Sequence, residues 1–134
     1  MASITALNGP SHGPANGRSV ASAVILLHGY GASGDALIGL APYFAQSLPQ
    51  TVFYSPNAPQ AWEGGGFGGR QWFGLQGYDP EGMRRDPNRF AAVYQAMFEG
   101  AVAAADVLNR YIDEVMAAHS LAADRVALLG FSQG

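Results

Sequence analysis

Apolar residues along this chain fall into two periods, and the alternation between them outlines the fold. Residues 21–27 and 125–129 are nearly continuous aliphatic runs, and residues 52–55 are a shorter stretch led by Val, Phe and Tyr; each is bounded by turn-forming residues and predicts a buried strand. Between the first two runs, Leu37, Leu40, Ala41 and Phe44 share one helical face, which predicts a helix over 35–47 with Ser33 or Asp35 as its cap. Asp86-Pro87 is a helix start, a cap residue followed by proline at the first helical position. Phe90, Val93, Met97, Ala101, Ala104, Leu108, Tyr111 and Val115 then recur at spacings of three and four, so 87–118 reads as helical, with its aromatic and methionine positions in the core. Gly100 costs about 1 kcal/mol relative to alanine inside a helix and predicts a break or kink there. Residues 1–20, rich in Gly, Pro, Ser and Asn, read as a flexible leader with at most a short strand at 4–7. Residues 56–86 have no period and read as a long loop.

Buried strands that alternate with helices pair in parallel through right-handed crossovers. The expected class is therefore α/β: an open, mostly parallel sheet with flanking helices, in one domain over 21–134. Ligands in such sheets bind beyond the carboxyl ends of the strands, where two glycine-rich turns of this chain lie.

Composition narrows the chemistry. Seven basic residues, all arginine and scattered apart from Arg84-Arg85, against ten acidic ones give a net charge of −3, which leaves no footprint for nucleic acid. The absence of cysteine excludes a disulfide framework, a cysteine-based zinc site and a cysteine nucleophile, and fits a cytoplasmic setting. No run is long enough to span a membrane, so no stable membrane insertion is expected.

The first glycine turn, Gly29-x-Gly31-x-x-Gly34, follows a strand and opens a helix, the context of a dinucleotide-binding fingerprint. That reading needs an acid at the end of the next strand for a ribose hydroxyl. Ser55-Pro56-Asn57-Ala58-Pro59 stands there instead, and no acid lies between Asp35 and Glu63. The second turn, Gly130-Phe131-Ser132-Gln133-Gly134, has the Gly-x-Ser-x-Gly pattern of a nucleophile elbow, and the aliphatic run 125–129 leads into it. The pattern alone is weak: Gly9-Pro10-Ser11-His12-Gly13 matches it too, with no strand before it and no helix after, and reads as leader.

An esterase reading explains both turns at once. Serine attack on an ester carbonyl makes an oxyanion, which needs two fixed backbone N–H donors. In α/β-hydrolases one donor follows the nucleophile and one follows an earlier central strand, which here are Gln133 and Tyr30. Leu27-His28-Gly29-Tyr30-Gly31, Ser55-Pro56-Asn57-Ala58-Pro59, Gly69-Arg70-Gln71-Trp72-Phe73 and the segment 124–134 resemble, in order and spacing, the successive blocks of the phospholipase/carboxylesterase family, which includes the acyl-protein thioesterases. The resemblance implies a three-layer α/β/α hydrolase fold and a Ser-Asp-His hydrolase of carboxylic esters or thioesters. It implies no metal and no cofactor. It implies Ser132 as nucleophile, Tyr30 and Gln133 as oxyanion donors, and Trp72 beside the acyl-binding cleft. Short-chain esters, lysophospholipids and acylated proteins all fall within its substrates, and the oligomeric state stays open.

The family's Asp and His follow the serine, whereas two residues follow Ser132 here. The fold is thus expected to be incomplete, cut at the elbow, and the chain inactive alone, because a serine without a base is a poor nucleophile. Of the three histidines, His12 lies in the leader, His28 is expected to order the oxyanion turn, and His119 is expected at the surface, where a cation suits a helix end. Trp72 and Phe73 either cover the sheet edge or line a cleft, and the glycines at 64–69 form either a lid or a flexible link. A binding protein that keeps the fold without catalysis is the remaining alternative.

Overall fold

The computed structural model describes residues 2–75 and 78–134. Four strands form one sheet: β1 (Ser11–His12), β2 (Ser22–Leu27), β3 (Thr51–Tyr54) and β6 (Val126–Gly130), in the order β1-β3-β2-β6. β2 pairs in parallel with β3 and with β6, and β1 adds an antiparallel edge to β3. A hairpin of β4 (Gln60–Ala61) and β5 (Arg70–Gln71) lies within the long loop. The sheet is open, mostly parallel and flanked by helices.

Alternation along the strands divides the core between two faces. On one, Ala23, Ile25 and Leu27 of β2 and Val52 of β3 pack with Tyr111 and Val115 of the long helix α4 (Pro87–His119). On the other, Phe53 stacks on Phe44 with ring centroids 6.3 Å apart. Ile25 and Leu26 are fully buried, a contribution of roughly 1.5–3 kcal/mol each.

Several expectations change. The helix expected over 35–47 is three short pieces, α1 (Gly34–Leu37), a 3₁₀ turn (Ile38–Leu40) and α2 (Ala41–Ala45). Pro42 has no N–H to continue the ladder, so one helix cannot run through it. Ser33 caps α1 by accepting from the Ala36 amide at 3.2 Å.

The first twenty residues are not loose. Glu114 on α4 accepts from the amides of Thr5 and Ala6, both at 2.8 Å, and Leu7 is buried. The Ser55 amide donates to the Pro10 carbonyl, and β1 covers the outer edge of β3. Residues 4–7 form no strand. The segment supplies backbone partners that β3 would otherwise lack.

The long helix is unbroken at Gly100. A methyl group there would sit 2.7 Å from Phe73 Cβ, so the glycine is a notch that receives an aromatic side chain. Tertiary packing outweighs the local propensity.

The core assignment holds for only half of that helix. At 33 residues α4 is about 50 Å long, whereas the strands span about 20 Å at most. Its C-terminal half covers the sheet. Its N-terminal half runs past it, leaving Phe90, Tyr94 and Phe98 exposed.

The 56–86 stretch is partly ordered by the β4–β5 hairpin and by α3 (Pro80–Arg85); residues 76 and 77 of it lie outside the described residues. Among the described residues no helix is long and apolar enough to cross a membrane.

Candidate active site

Both glycine turns leave the carboxyl ends of neighbouring strands, β2 and β6. In the parallel register Leu27 stands opposite Gly130, and the Phe131 amide donates to the Leu27 carbonyl at 3.0 Å. The chain then reverses: the Gly134 amide donates to the Phe131 carbonyl at 3.0 Å, and Ser132 takes φ +57°. A serine in the left-handed region is uncommon, and here it turns the chain sharply at the end of β6. The flanking glycines are steric requirements. A Cβ at Gly130 would overlap the Gly134 carbonyl, and one at Gly134 would overlap the carbonyl of Leu27.

The two turns face each other. A methyl group on Gly29 would lie 3.1 Å from Ser132 Cβ. Tyr30, Ser132 and Gln133 line one cavity of about 400 Å³, together with Phe73, Leu75, Tyr78, Tyr94 and Met97. Among the described residues, the amides of Tyr30 and Gln133 donate to no protein acceptor.

His28 holds the first turn from beneath. It is buried, its Nε2 accepts from the Ala58 amide at 2.9 Å, and its Nδ1 lies 2.8 Å from the Gly29 carbonyl. The amide donor leaves Nδ1 as the protonated nitrogen, so the ring donates to Gly29. Burial pushes its pKa below the ordinary histidine value; the Gly29 bond opposes this and the nearby Arg70 charge adds to it. The expected ordering role of His28 thus has a hydrogen-bond basis.

Trp72 and Phe73 take different parts. Trp72 is buried, and its indole N–H donates to the His28 carbonyl at 2.8 Å. Phe73 reaches the cavity wall beside Ser132. The Gln133 side chain ties them to the elbow: its Oε1 accepts from the Trp72 amide at 2.9 Å, and its Nε2 donates to the Phe73 carbonyl at 2.7 Å.

His119, at the end of α4, pairs with Tyr54 of β3. Its Nε2 lies 2.6 Å from the Tyr54 hydroxyl, and partial burial lowers its pKa. His12 lies on β1, in aromatic contact with Phe53. No histidine or carboxylate is among the described lining of the Ser132 cavity, and no cluster of three potential metal ligands occurs among the described residues.

The turn at Gly29 is a poor pyrophosphate cradle. The Gly34 amide donates to Asn57 Oδ1 at 2.8 Å, the Gly31 amide to the Arg70 carbonyl, and the Ala32 amide to the Gly29 carbonyl. Trp62 packs against Gly31. Three of the turn's amides, those of Gly31, Ala32 and Gly34, are thus already engaged.

Sequence reasoning missed the parts that come from the loop. Arg70 donates to the carbonyls of Ala58 and Pro59, bracing the loop between β3 and β4. Glu63 accepts from the Tyr30 hydroxyl at 2.6 Å. Glu63 is the first acid after Asp35, a usable signal, but its partner is set by the hairpin fold.

The family model described as Phospholipase/Carboxylesterase matches residues 15–134. The crystal structure of esterase PE8 is similar, with a TM-score of 0.77 and 36% sequence identity over 95% of this chain and 53% of that one. The chain thus spans about half the length of that esterase.

Proposed function

From the membership of this chain in the phospholipase/carboxylesterase family, we propose that it supplies the nucleophile and oxyanion donors of a serine hydrolase of carboxylic esters or thioesters. Ser132 Oγ attacks the acyl carbon and passes its proton to a base. The carbonyl oxygen becomes an oxyanion held by the N–H groups of Tyr30 and Gln133. Collapse expels the protonated alcohol or thiol and leaves an acyl-serine, which water opens by the reverse route. Phe73, with Trp72 behind it, bounds the acyl group. Candidate substrates are small esters, lysophospholipids and acylated proteins, met in the cytoplasm without a cofactor.

The observation that carries this reading is Ser132 at φ +57°, packed against the turn that bears the Tyr30 amide. The base comes, by the family's order, from chain that follows the serine. The 134 residues alone therefore hydrolyse no p-nitrophenyl acetate above background, while the whole protein does and loses that activity in Ser132→Ala. Activity of the whole protein that survives Ser132→Ala defeats the proposal. So does turnover by the 134-residue chain that requires Ser132, because it places a base where none is expected.

A further inference from the structure

The hairpin carries a carboxylate that the proposed chemistry does not use. Glu63 Oε1 accepts from the Tyr30 hydroxyl at 2.6 Å and from the Leu75 amide at 2.8 Å, while Oε2 lies 3.4 Å from Gln71 Nε2. Its own amide donates to Gln71 Oε1 at 2.9 Å, so the side chain starts from a fixed backbone. Gly74 leaves the space it occupies: a methyl group there would lie 2.8 Å from Glu63 Oε2. The Tyr30 ring is held from the side as well, edge-on to Trp62 with centroids 6.0 Å apart.

Tyr30 and Leu75 both line the cavity that holds Ser132. One carboxylate oxygen therefore joins the oxyanion turn to the loop that forms another part of the same wall. Hydrogen bonds to a charged acceptor are stronger than neutral ones and more directional than packing. A rotation of the Tyr30 backbone that turned its amide from the cavity would pull on a phenol that is hydrogen-bonded at its far end.

We infer that Glu63 is a positioning residue for the proposed ester hydrolysis: through Tyr30 and Leu75 it holds the oxyanion turn in register with Ser132. The inference rests on the serine-hydrolase reading above. Glu63 touches no reacting atom, so its effect falls on the transition state, where the oxyanion forms, more than on ground-state binding.

The test uses the whole protein and p-nitrophenyl acetate, a substrate too small to need the rest of the cleft. A small displacement of a catalytic group costs up to about 10²-fold, so Glu63→Ala is expected to lower kcat roughly tenfold or more, with KM changed less than about twofold. Tyr30→Phe keeps the ring and the amide, loses the hydroxyl, and gives a similar loss. The double variant is no worse than either single one, since both cut one link. Glu63→Gln can still accept from Tyr30 and Leu75 through its amide oxygen and recovers most of kcat. Thermal midpoints measured alongside separate positioning from folding: a merely structural role lowers stability and the amount of active protein, without a kcat loss per Ser132 titrated by a fluorophosphonate. Normal kcat per titrated site in Glu63→Ala, or additive losses in the double variant, overturns the inference and leaves the enzyme reading intact. A wild-type protein that hydrolyses no ester overturns both.

Discussion

Two segments of this molecule share the pattern Gly-x-Ser-x-Gly, and the fold treats them in opposite ways. Gly9-Pro10-Ser11-His12-Gly13 runs through an extended edge strand, where Ser11 stands opposite Tyr54. Gly130-Phe131-Ser132-Gln133-Gly134 leaves a parallel strand and bends at once, with its serine at φ +57°. The glycines differ as well. Gly13, at φ +82°, lets the leader pass close to the Thr51 carbonyl, whereas Gly130 and Gly134 are bare because the turn folds onto itself and onto the end of β2. A motif carries chemistry only where its neighbours force the backbone into the shape that the chemistry needs. Here the forcing neighbours are β6 before the turn and the Leu27 carbonyl beside it.

The sharpest way to break this comparison is to remove each serine hydroxyl in the whole protein. Ser132→Ala is expected to lower the rate of ester hydrolysis by roughly 10⁴- to 10⁶-fold, the range seen when a nucleophile of this class is lost. Ser11→Ala leaves kcat/KM within about twofold, since a surface change away from special features costs little. Equal losses in the two variants would show that the contrast in backbone shape has no bearing on activity.

The glycines come next in size. Gly134→Ala places a Cβ onto the Leu27 carbonyl, an overpacking that costs about 1–3 kcal/mol and distorts the elbow. Activity and thermal stability both fall. Gly13→Ala forces an alanine to φ +82° with its Cβ 2.7 Å from the Thr51 carbonyl oxygen, at a cost of about 1–2 kcal/mol for the left-handed backbone. It lowers the melting temperature without lowering kcat per folded molecule. A kcat loss in Gly13→Ala would tie the edge strand to the chemistry and erase the distinction.

What the sequence discloses follows the reach of each cause. The three parallel strands were legible because an aliphatic run is a local signal and its burial is the whole reason for it. Asp86-Pro87 announced the start of α4 for the same reason: Asp86 accepts from the Asn88 amide two residues on. Pro42 was equally legible as a helix breaker, and apolar periodicity hid it. The docked leader was not legible, because its partner Glu114 lies 109 residues from Thr5 in the chain. Gly100 misled because helix propensity is local and Phe73 arrives from another element. The split of α4 into a covering half and a projecting half follows from a mismatch between helix length and strand length, which no single residue reports. In the site, the sharp turn at Ser132 could be read and the clamp of Gln133 on residues 72 and 73 could not, since a glutamine's hydrogen bonds are assigned by tertiary structure.

A smaller effect separates the two pentapeptides by pH. The elbow rests on the turn that His28 braces, and burial holds the folded-state pKa of His28 below the ordinary value of 6.5. The unfolded chain therefore binds this proton first as the pH drops. The contribution of His28 to stability is complete above about pH 6.5 and is lost as pH falls from there toward the folded-state value. Protonation would also set an N–H against the Ala58 amide that Nε2 now accepts. Urea midpoints of the whole protein between pH 8 and pH 5 should decline on the acid side, and His28→Gln should flatten the decline while lowering the midpoint at neutral pH. Some acid slope of the same sign remains, because His119 is shifted in the same direction. An unchanged acid limb in His28→Gln would mean that the brace beneath the elbow is not what acid removes.

The smallest expected change in stability tests how far the elbow's influence extends along the clamp. Gly100→Ala gains about 1 kcal/mol of helix propensity but brings a methyl group to 2.7 Å from Phe73 Cβ and 2.9 Å from its Cγ. These two effects oppose each other, so the melting temperature should move by only a few degrees, in line with about 1 kcal/mol or less at the midpoint. The geometry changes more than the stability does. Phe73 cannot retreat freely, because its carbonyl is held by Gln133 at 2.7 Å and Trp72 beside it is anchored to His28. The expected displacement of the ring is toward the cavity that holds Ser132, whose wall it forms. Small acyl groups should tolerate this and large ones should not, so KM for a p-nitrophenyl ester should rise with acyl length more steeply in the variant than in the wild type. A uniform change across acyl lengths would place Phe73 outside the acyl path, and would leave Gln133 a clamp on the fold alone.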